Sequence, residues 1–146
     1  MPSFISDHPR AKALIRIGNV AITEENAEAL RAFFAEDFVF HGPKGDLTFQ
    51  QLADHFASMR HAFSDFRLVR EQIIVEGDYL AARNTFSGVF TRVFTQSPIG
   101  PLQPTGKPIQ WEAINTFRYD REGRVAEEWV QSDHRTMLIK LGVEPA

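Results

Sequence analysis

Asp133 stands four residues after Trp129, at the end of a strand-like run. A carboxylate held against an aromatic wall loses water, and its pKa rises toward the range in which it can take a proton from carbon. Asp133 also precedes His134-Arg135-Thr136, the pattern of a helix N-cap, so the residues alone leave base and cap both open. His41 closes the short apolar run Phe38-Val39-Phe40-His41 just before Gly42-Pro43. An imidazole at such a loop edge can serve as an acid, bind an oxyanion, or simply occupy a surface turn.

The other titratable groups offer fewer routes. Glu112, Glu127 and Glu128 could couple to Asp133 as a carboxylate pair, although strand carboxylates more often meet arginine or water. Arg83 in mid-strand could clamp an anion or neutralise one of those carboxylates. His55 and His61 fall outside the apolar seam of their helix and are expected to be solvated. His8 lies near the N-terminus and carries little weight. No two histidines stand at i, i+4 or alternate along one strand, and no Asp-rich loop is present, so no metal site is expected. The strand-turn-helix serine elbow and the phosphate-cradling glycine loop are also absent. The segment 100–107, GPLQPTGK, places prolines where a phosphate loop needs amide donors.

These side chains depend on a hairpin. Residues 111–119, WEAINTFRY, and 124–133 flank a turn at Asp120 to Gly123. A four-residue turn pairs Tyr119 with Arg124, and then Gln110 with Asp133, Glu112 with Gln131 and Ile114 with Trp129. Those six share one face. Trp111, Ala113, Asn115, Phe117 and Tyr119 share the other with Ser132, Val130, Glu128 and Ala126, and both faces are mixed in character, as expected when one lines a semi-polar cavity and the other meets a second subunit. A one-residue bulge would exchange the faces locally.

Upstream, Ser6 or Asp7 is expected to cap a helix with Pro9 in its first turn, aligning Leu14, Ile17, Gly18 and Ala21. Thr23 is expected to cap a second helix with the stripe Leu30, Phe33, Phe34, ending near Glu36. The capping box Thr48 to Gln51 opens a third, with the seam Leu52, Phe56, Met59, Phe63. From Asp65 the period becomes strand-like, with a turn at Glu76-Gly77-Asp78 and a strand from Tyr79 to Phe90. Four prolines and two glycines between Thr95 and Pro108 predict a loop at the rim. Helices first and hairpin-linked antiparallel strands afterwards make an α+β pattern.

Composition bounds the rest. The 146 residues, with thirteen Phe and two Trp, suit one domain, 1–146, with one core. A net charge of −3 without any basic, aromatic-interleaved run argues against nucleic acid. The absence of cysteine excludes disulfides and thiolate chemistry. Without a signal-like N-terminus or a membrane-length apolar run, the expectation is a cytoplasmic protein with no membrane partner.

The order FAEDFVFHGPKG, FSDFRL, EGDYLAARNTFSGVF and PTGKPIQWEAINTFRYDREGRVAEEWVQSDHRTMLIKLG resembles the SnoaL-like polyketide cyclases, over about Ala27 to Val143. These belong to the nuclear-transport-factor-like and ketosteroid-isomerase-like superfamily. The most specific pieces are Pro104-Thr105-Gly106-Lys107-Pro108 and the Gly-Arg-Val-x-Glu-x-Trp-x-x-x-Asp pattern from Gly123 to Asp133.

The resemblance implies a cone-shaped curved antiparallel sheet wrapped around N-terminal helices, with a deep apolar pocket. It implies a homodimer paired through the sheet. It also implies an intramolecular aldol closure without metal or organic cofactor, on a small apolar carbonyl compound. Asp133 then takes the role of base and His41 a pocket role, with Trp111, Glu112, Asn115, Trp129 and Gln131 shaping and polarising the substrate site. Phe90 and Asn115 depart from the polar residue and the aspartate common in relatives. The competing expectations are a non-catalytic binding or dimerisation module of the same fold, and an epoxide hydrolase or dehydratase in which Arg83 and Glu112 orient water.

Overall fold

Helix α3 (Phe49–Ala62) starts where its capping box predicts. The Thr48 hydroxyl accepts the Gln51 N–H at 3.2 Å, and the Gln51 side chain accepts the Thr48 N–H at 2.9 Å, so two orphan donors of the first turn are satisfied reciprocally. The helix buries Leu52, Phe56 and Met59, while Phe63, the last residue of the expected seam, already begins a strand. The computed structural model describes residues 4–143.

The earlier helices are capped by other residues than expected. Helix α1 (Pro9–Ile17) is capped by His8, whose Nδ1 accepts the Arg10 N–H at 3.1 Å. Its end continues into a π-helical turn, Gly18–Ile22. Thr23 closes that turn rather than opening the next helix, because its hydroxyl donates back to the Gly18 carbonyl at 3.1 Å. Asn26 caps α2 (Ala27–Phe33) instead, accepting the Ala29 N–H. The chain is extended from Phe34 onward, so the stripe Leu30, Phe33, Phe34 is divided between helix and strand.

The strands are β1 (Phe4–Ile5), β2 (Phe34–Gly42), β3 (Gly45–Thr48), β4 (Phe63–Glu76), β5 (Tyr79–Phe90), β6 (Phe94–Ser97), β7 (Gly100–Leu102), β8 (Pro108–Tyr119) and β9 (Val125–Ser132). Seven form one curved, unclosed sheet in the order β1-β4-β5-β8-β9-β2-β3. The central ladders are antiparallel, as hairpin connections require. β1 on β4 and β2 on β9 are parallel, so the sheet is mixed rather than wholly antiparallel. Helix α4 (His134–Lys140) follows β9. Among the described residues the architecture is α+β, with four α-helices, the π-helical turn and this sheet.

The proline-rich stretch expected as a plain loop carries the β6–β7 ribbon. Its four prolines sit at the turn (Pro98), in a three-residue strand (Pro101), between strands (Pro104) and at the first residue of β8 (Pro108), positions that need few ladder donors. Phe94 anchors the ribbon in the core beside Phe63 and Phe90, all three fully buried. Among the described residues no helix is long and apolar enough to cross a membrane.

The β8–β9 register is offset by two residues from the expected one. Ile114 faces Gln131, Thr116 faces Trp129 and Phe117 faces Glu128, with a shift between Arg118 and Tyr119. Asp120 tightens the turn by accepting the N–H groups of Glu122 and Arg124 at 2.9 Å each. A two-residue offset preserves which residues share a face, because side chains alternate with period two. The structure resolves which face turns inward. Trp111, Ala113, Asn115, Phe117 and Tyr119 are buried, whereas Gln110, Glu112 and Ile114 are exposed on the outer face.

Candidate active site

Inside the sheet lies a cavity of about 430 Å³, a volume suited to a small organic ligand. Its walls are apolar, with Phe34, Phe40, Phe56, Phe86, Phe94 and Trp111 prominent. Phe86 and Trp111 are cross-strand partners on β5 and β8 and stack at 5.4 Å with their rings 9° apart.

Four polar side chains from four neighbouring strands meet on this face. Arg70 Nη1 (β4) donates to Asn84 Oδ1 (β5) at 2.9 Å. Asn84 Nδ2 donates to Asn115 Oδ1 (β8) at 2.5 Å and to the Ala113 carbonyl at 3.2 Å. Asn115 Nδ2 then donates to Glu128 Oε2 (β9) at 2.6 Å. Each amide must present its oxygen toward Arg70 and its N–H toward Glu128, so the relay has one direction. Asn84 is fully buried, and stranding its amide would cost about 1–3 kcal/mol.

Glu128 ends the relay and lines the cavity at 5% exposure. Burial pushes its pKa up to about 7, against the opposing pull of the Arg70 charge and the Asn115 hydrogen bond. Desolvation likewise lowers Arg70 to about 10, even with Glu128 near. Among the described residues Glu128 Oε1 has no hydrogen-bond partner, and Glu128 is the one carboxylate in the cavity wall. A buried carboxylate near neutrality with one oxygen uncommitted can take a proton and return it.

The expected site residues divide. Trp111 and Asn115 line the cavity. Glu112, Trp129 and Gln131 are exposed on the outer face, where alternation along β8 and β9 puts them opposite to Trp111 and Glu128. Arg83 is also outside, 3.9 Å from Glu112.

Asp133 lies outside the cavity wall. Its Oδ1 accepts the Thr136 N–H at 3.0 Å and its Oδ2 the Thr136 hydroxyl at 2.6 Å, which caps α4. The Thr136 hydroxyl, then the Thr136 N–H, holds its pKa below the ordinary aspartate value.

His41 follows inward-facing Phe40 and points outward. Nδ1 meets Asp46 and Nε2 meets Glu127, each at 2.8 Å, and the ring stacks on Trp129 at 5.2 Å. The hydrogen bond to Glu127, then that to Asp46, raises its pKa. Phe90 is wholly buried in the core.

The sequence offers Glu128 only as a possible carboxylate partner of Asp133 and gives Arg70 and Asn84 no role. The usable signal was a polar residue within an apolar alternation, Leu80, Ala82, Asn84, Phe86 on β5 and Trp111, Ala113, Asn115, Phe117 on β8. His55, expected in solvent, is half-buried and lines the cavity, as does His134. Among the described residues no group of three or more His, Asp or Glu side chains could hold a metal ion.

A sequence model of the SnoaL-like polyketide cyclases matches residues 13–141. IdmH from Streptomyces antibioticus, described as a "putative polyketide cyclase", is 26% identical, with 93% of this chain and 100% of that one covered at a TM-score of 0.76. AclR from Streptomyces galilaeus, described as a "putative hydroxylase", is 24% identical, with coverage of 81% and 84% and a TM-score of 0.69. A Catenulispora acidiphila protein with a ketosteroid isomerase-like fold, crystallised with trimethylamine, shares 15% identity at a TM-score of 0.68, with coverage of 91% and 94%. A search of curated proteins found no match.

Proposed function

Since the chain belongs to the SnoaL-like polyketide cyclase family, we propose that it is a cyclase or isomerase-type enzyme acting on a small, largely apolar carbonyl compound, with Glu128 as the base. The observation that carries this reading is the Glu128 carboxylate, buried in an apolar cavity and held by Asn115 through one oxygen only. The role that the resemblance gave to Asp133 passes to Glu128 here, because the Asp133 carboxylate is committed to its cap on the surface.

In the proposed step, Glu128 Oε1 takes a proton from the carbon next to the substrate carbonyl. The C–H electron pair moves into an enolate. That enolate either attacks a second carbonyl carbon of the same molecule, closing a C–C bond while the π pair of that carbonyl moves to its oxygen and takes the proton from the Glu128 carboxylic acid, or, where an alkene extends the enolate, is reprotonated at the far carbon by the same acid. Arg70 lines the same cavity, and its positive charge opposes the negative charge that passes from Glu128 to the enolate. Asn115 is a positioning residue, since its N–H group fixes the carboxylate. General-base catalysis of this kind typically supplies about 10²–10⁴-fold in rate.

The test is deuterium incorporation from solvent into the acidic C–H of aryl 1,3-diketones, followed by NMR. The natural protein should accelerate exchange, and Glu128→Gln should reduce it to the buffer rate with the melting transition intact. A folded Glu128→Gln protein exchanging at the natural rate would refute the assignment.

A further inference from the structure

The exposed residues of the cavity wall, Pro43, Lys44, Gly45, Thr95 and Gln96, lie on the turn between β2 and β3 and on the β6–β7 ribbon, and half-buried Ser132 and His134 bring the β9–α4 junction into the same wall. These segments form the mouth. Three groups able to carry positive charge surround it, each from a different element: Lys44 from the β2–β3 turn, His55 from α3 and His134 from the start of α4. Among the described residues none of the three lies within ion-pair distance of a carboxylate.

They also oppose one another. Burial is the main cause lowering the pKa of both histidines below the ordinary value, and the charge of Lys44 lowers each further, with His134 acting on His55 as well and Asp133 partly offsetting the shift of His134. Gln96 offers His55 a hydrogen bond that partly offsets this. Lys44 therefore carries the charge at this opening, and the two imidazoles beside it offer hydrogen-bond donors, a set that suits a carboxylate entering from outside.

We propose that the mouth binds a carboxylate at one end of the substrate, so that the ligand is an elongated keto acid whose carbonyl reaches Glu128 while its acid group meets Lys44, His55 and His134. The spacing follows from the strand. Glu128 and Ser132, both in the cavity wall, are four residues apart on β9, roughly 13 Å at the rise of an extended chain. A carboxylate and a ketone separated by about ten carbon–carbon bonds span that distance. The apolar walls between the two ends would cover the intervening chain or rings.

This inference builds on the proposed carbonyl chemistry, and it is tested by binding so that the two can fail separately. The probes are 11-oxododecanoate and its methyl ester, titrated by calorimetry into the full chain. The acid should bind about tenfold or more tightly than the ester, the range of one charge-assisted contact. The triple variant Lys44→Gln, His55→Gln, His134→Gln should lose that preference with ester affinity unchanged. Lys44→Gln alone, in an exposed turn, should lose part of it without disturbing folding. Glu128→Gln should keep the preference, whatever it does to exchange. Equal affinity for acid and ester, no binding of the acid, or a preference that survives the triple substitution would each overturn the proposal.

Discussion

Glu128 and Trp129 are adjacent in the chain and lie on opposite sides of the sheet. The carboxylate is 5% exposed in the cavity, and the indole is 37% exposed on the outer face, stacked on His41. One step along β9 thus separates the buried cavity carboxylate from a surface cluster of titratable groups.

Glu128 should impose a rising pH–rate profile. Only its ionised form accepts a proton, so kcat/KM should climb through an inflection near 7, the value to which burial pushes its pKa. Stability should run the other way. An acid whose folded pKa lies above its unfolded value of about 4.5 favours the folded state fully at low pH, and that contribution is lost as pH rises from about 4.5 through about 7. The loss is on the order of 3 kcal/mol. Glu128→Gln, which cannot ionise, should melt above the natural protein at pH 8 and converge with it near pH 4.5. Thermal denaturation across that range would reveal coincident curves if the carboxylate were not desolvated.

Asp133 separates cap from base. Asp133→Ala should lower the melting temperature and reduce the helical signal of α4, because the Thr136 N–H loses its partner. Asp133→Ser, which can still accept that hydrogen bond, should recover most of the loss. Deuterium exchange catalysed by the folded protein should persist in both. Its disappearance in the well-folded serine variant would return the base to Asp133.

His41 should titrate above the ordinary histidine value, since both ring nitrogens face carboxylates. Its contribution to stability is complete below about 6.5 and falls away as pH rises through the raised folded pKa. Ring-proton NMR would follow the titration directly. Glu127→Gln should move the midpoint down, because the hydrogen bond to Glu127 is the largest cause of the shift. An unchanged midpoint would contradict that order of causes.

Gly88 permits the close approach of β5 to β4. A methyl group added there would lie 2.7 Å from Phe63 Cβ and 3.2 Å from the Ser64 carbonyl oxygen. Phe63 is fully buried and cannot retreat, so Gly88→Ala should cost about 1–3 kcal/mol. Urea titration provides the check, and an unaltered midpoint would mean that the ladder relaxes freely.

Much of this fold could be read from local patterns. Thr48 to Gln51 specifies the α3 start through chemistry internal to four residues, and Asp120 to Gly123 specifies a turn in the same way. The cavity face was harder to read, because both faces of the last hairpin mix aromatic and charged residues. Glu128 looked like one more strand carboxylate, and Trp129 looked like a wall. The discriminating fact is that Asn84 and Arg70, on distant parts of the chain, come to the same sheet face and make a polar interior affordable. Likewise, Thr23 can cap forwards or bond backwards. The choice depends on the π-helical turn before it.

The cavity is made from two kinds of parts. Its floor belongs to the long ladders of β4, β5, β8 and β9, where a changed residue disturbs register and relay together. Its opening belongs to a short turn, a short ribbon and a helix start. Such an arrangement lets the opening change by exchanging brief surface segments while the buried relay from Arg70 to Glu128 is left intact, much as a lathe keeps its spindle and changes its chuck.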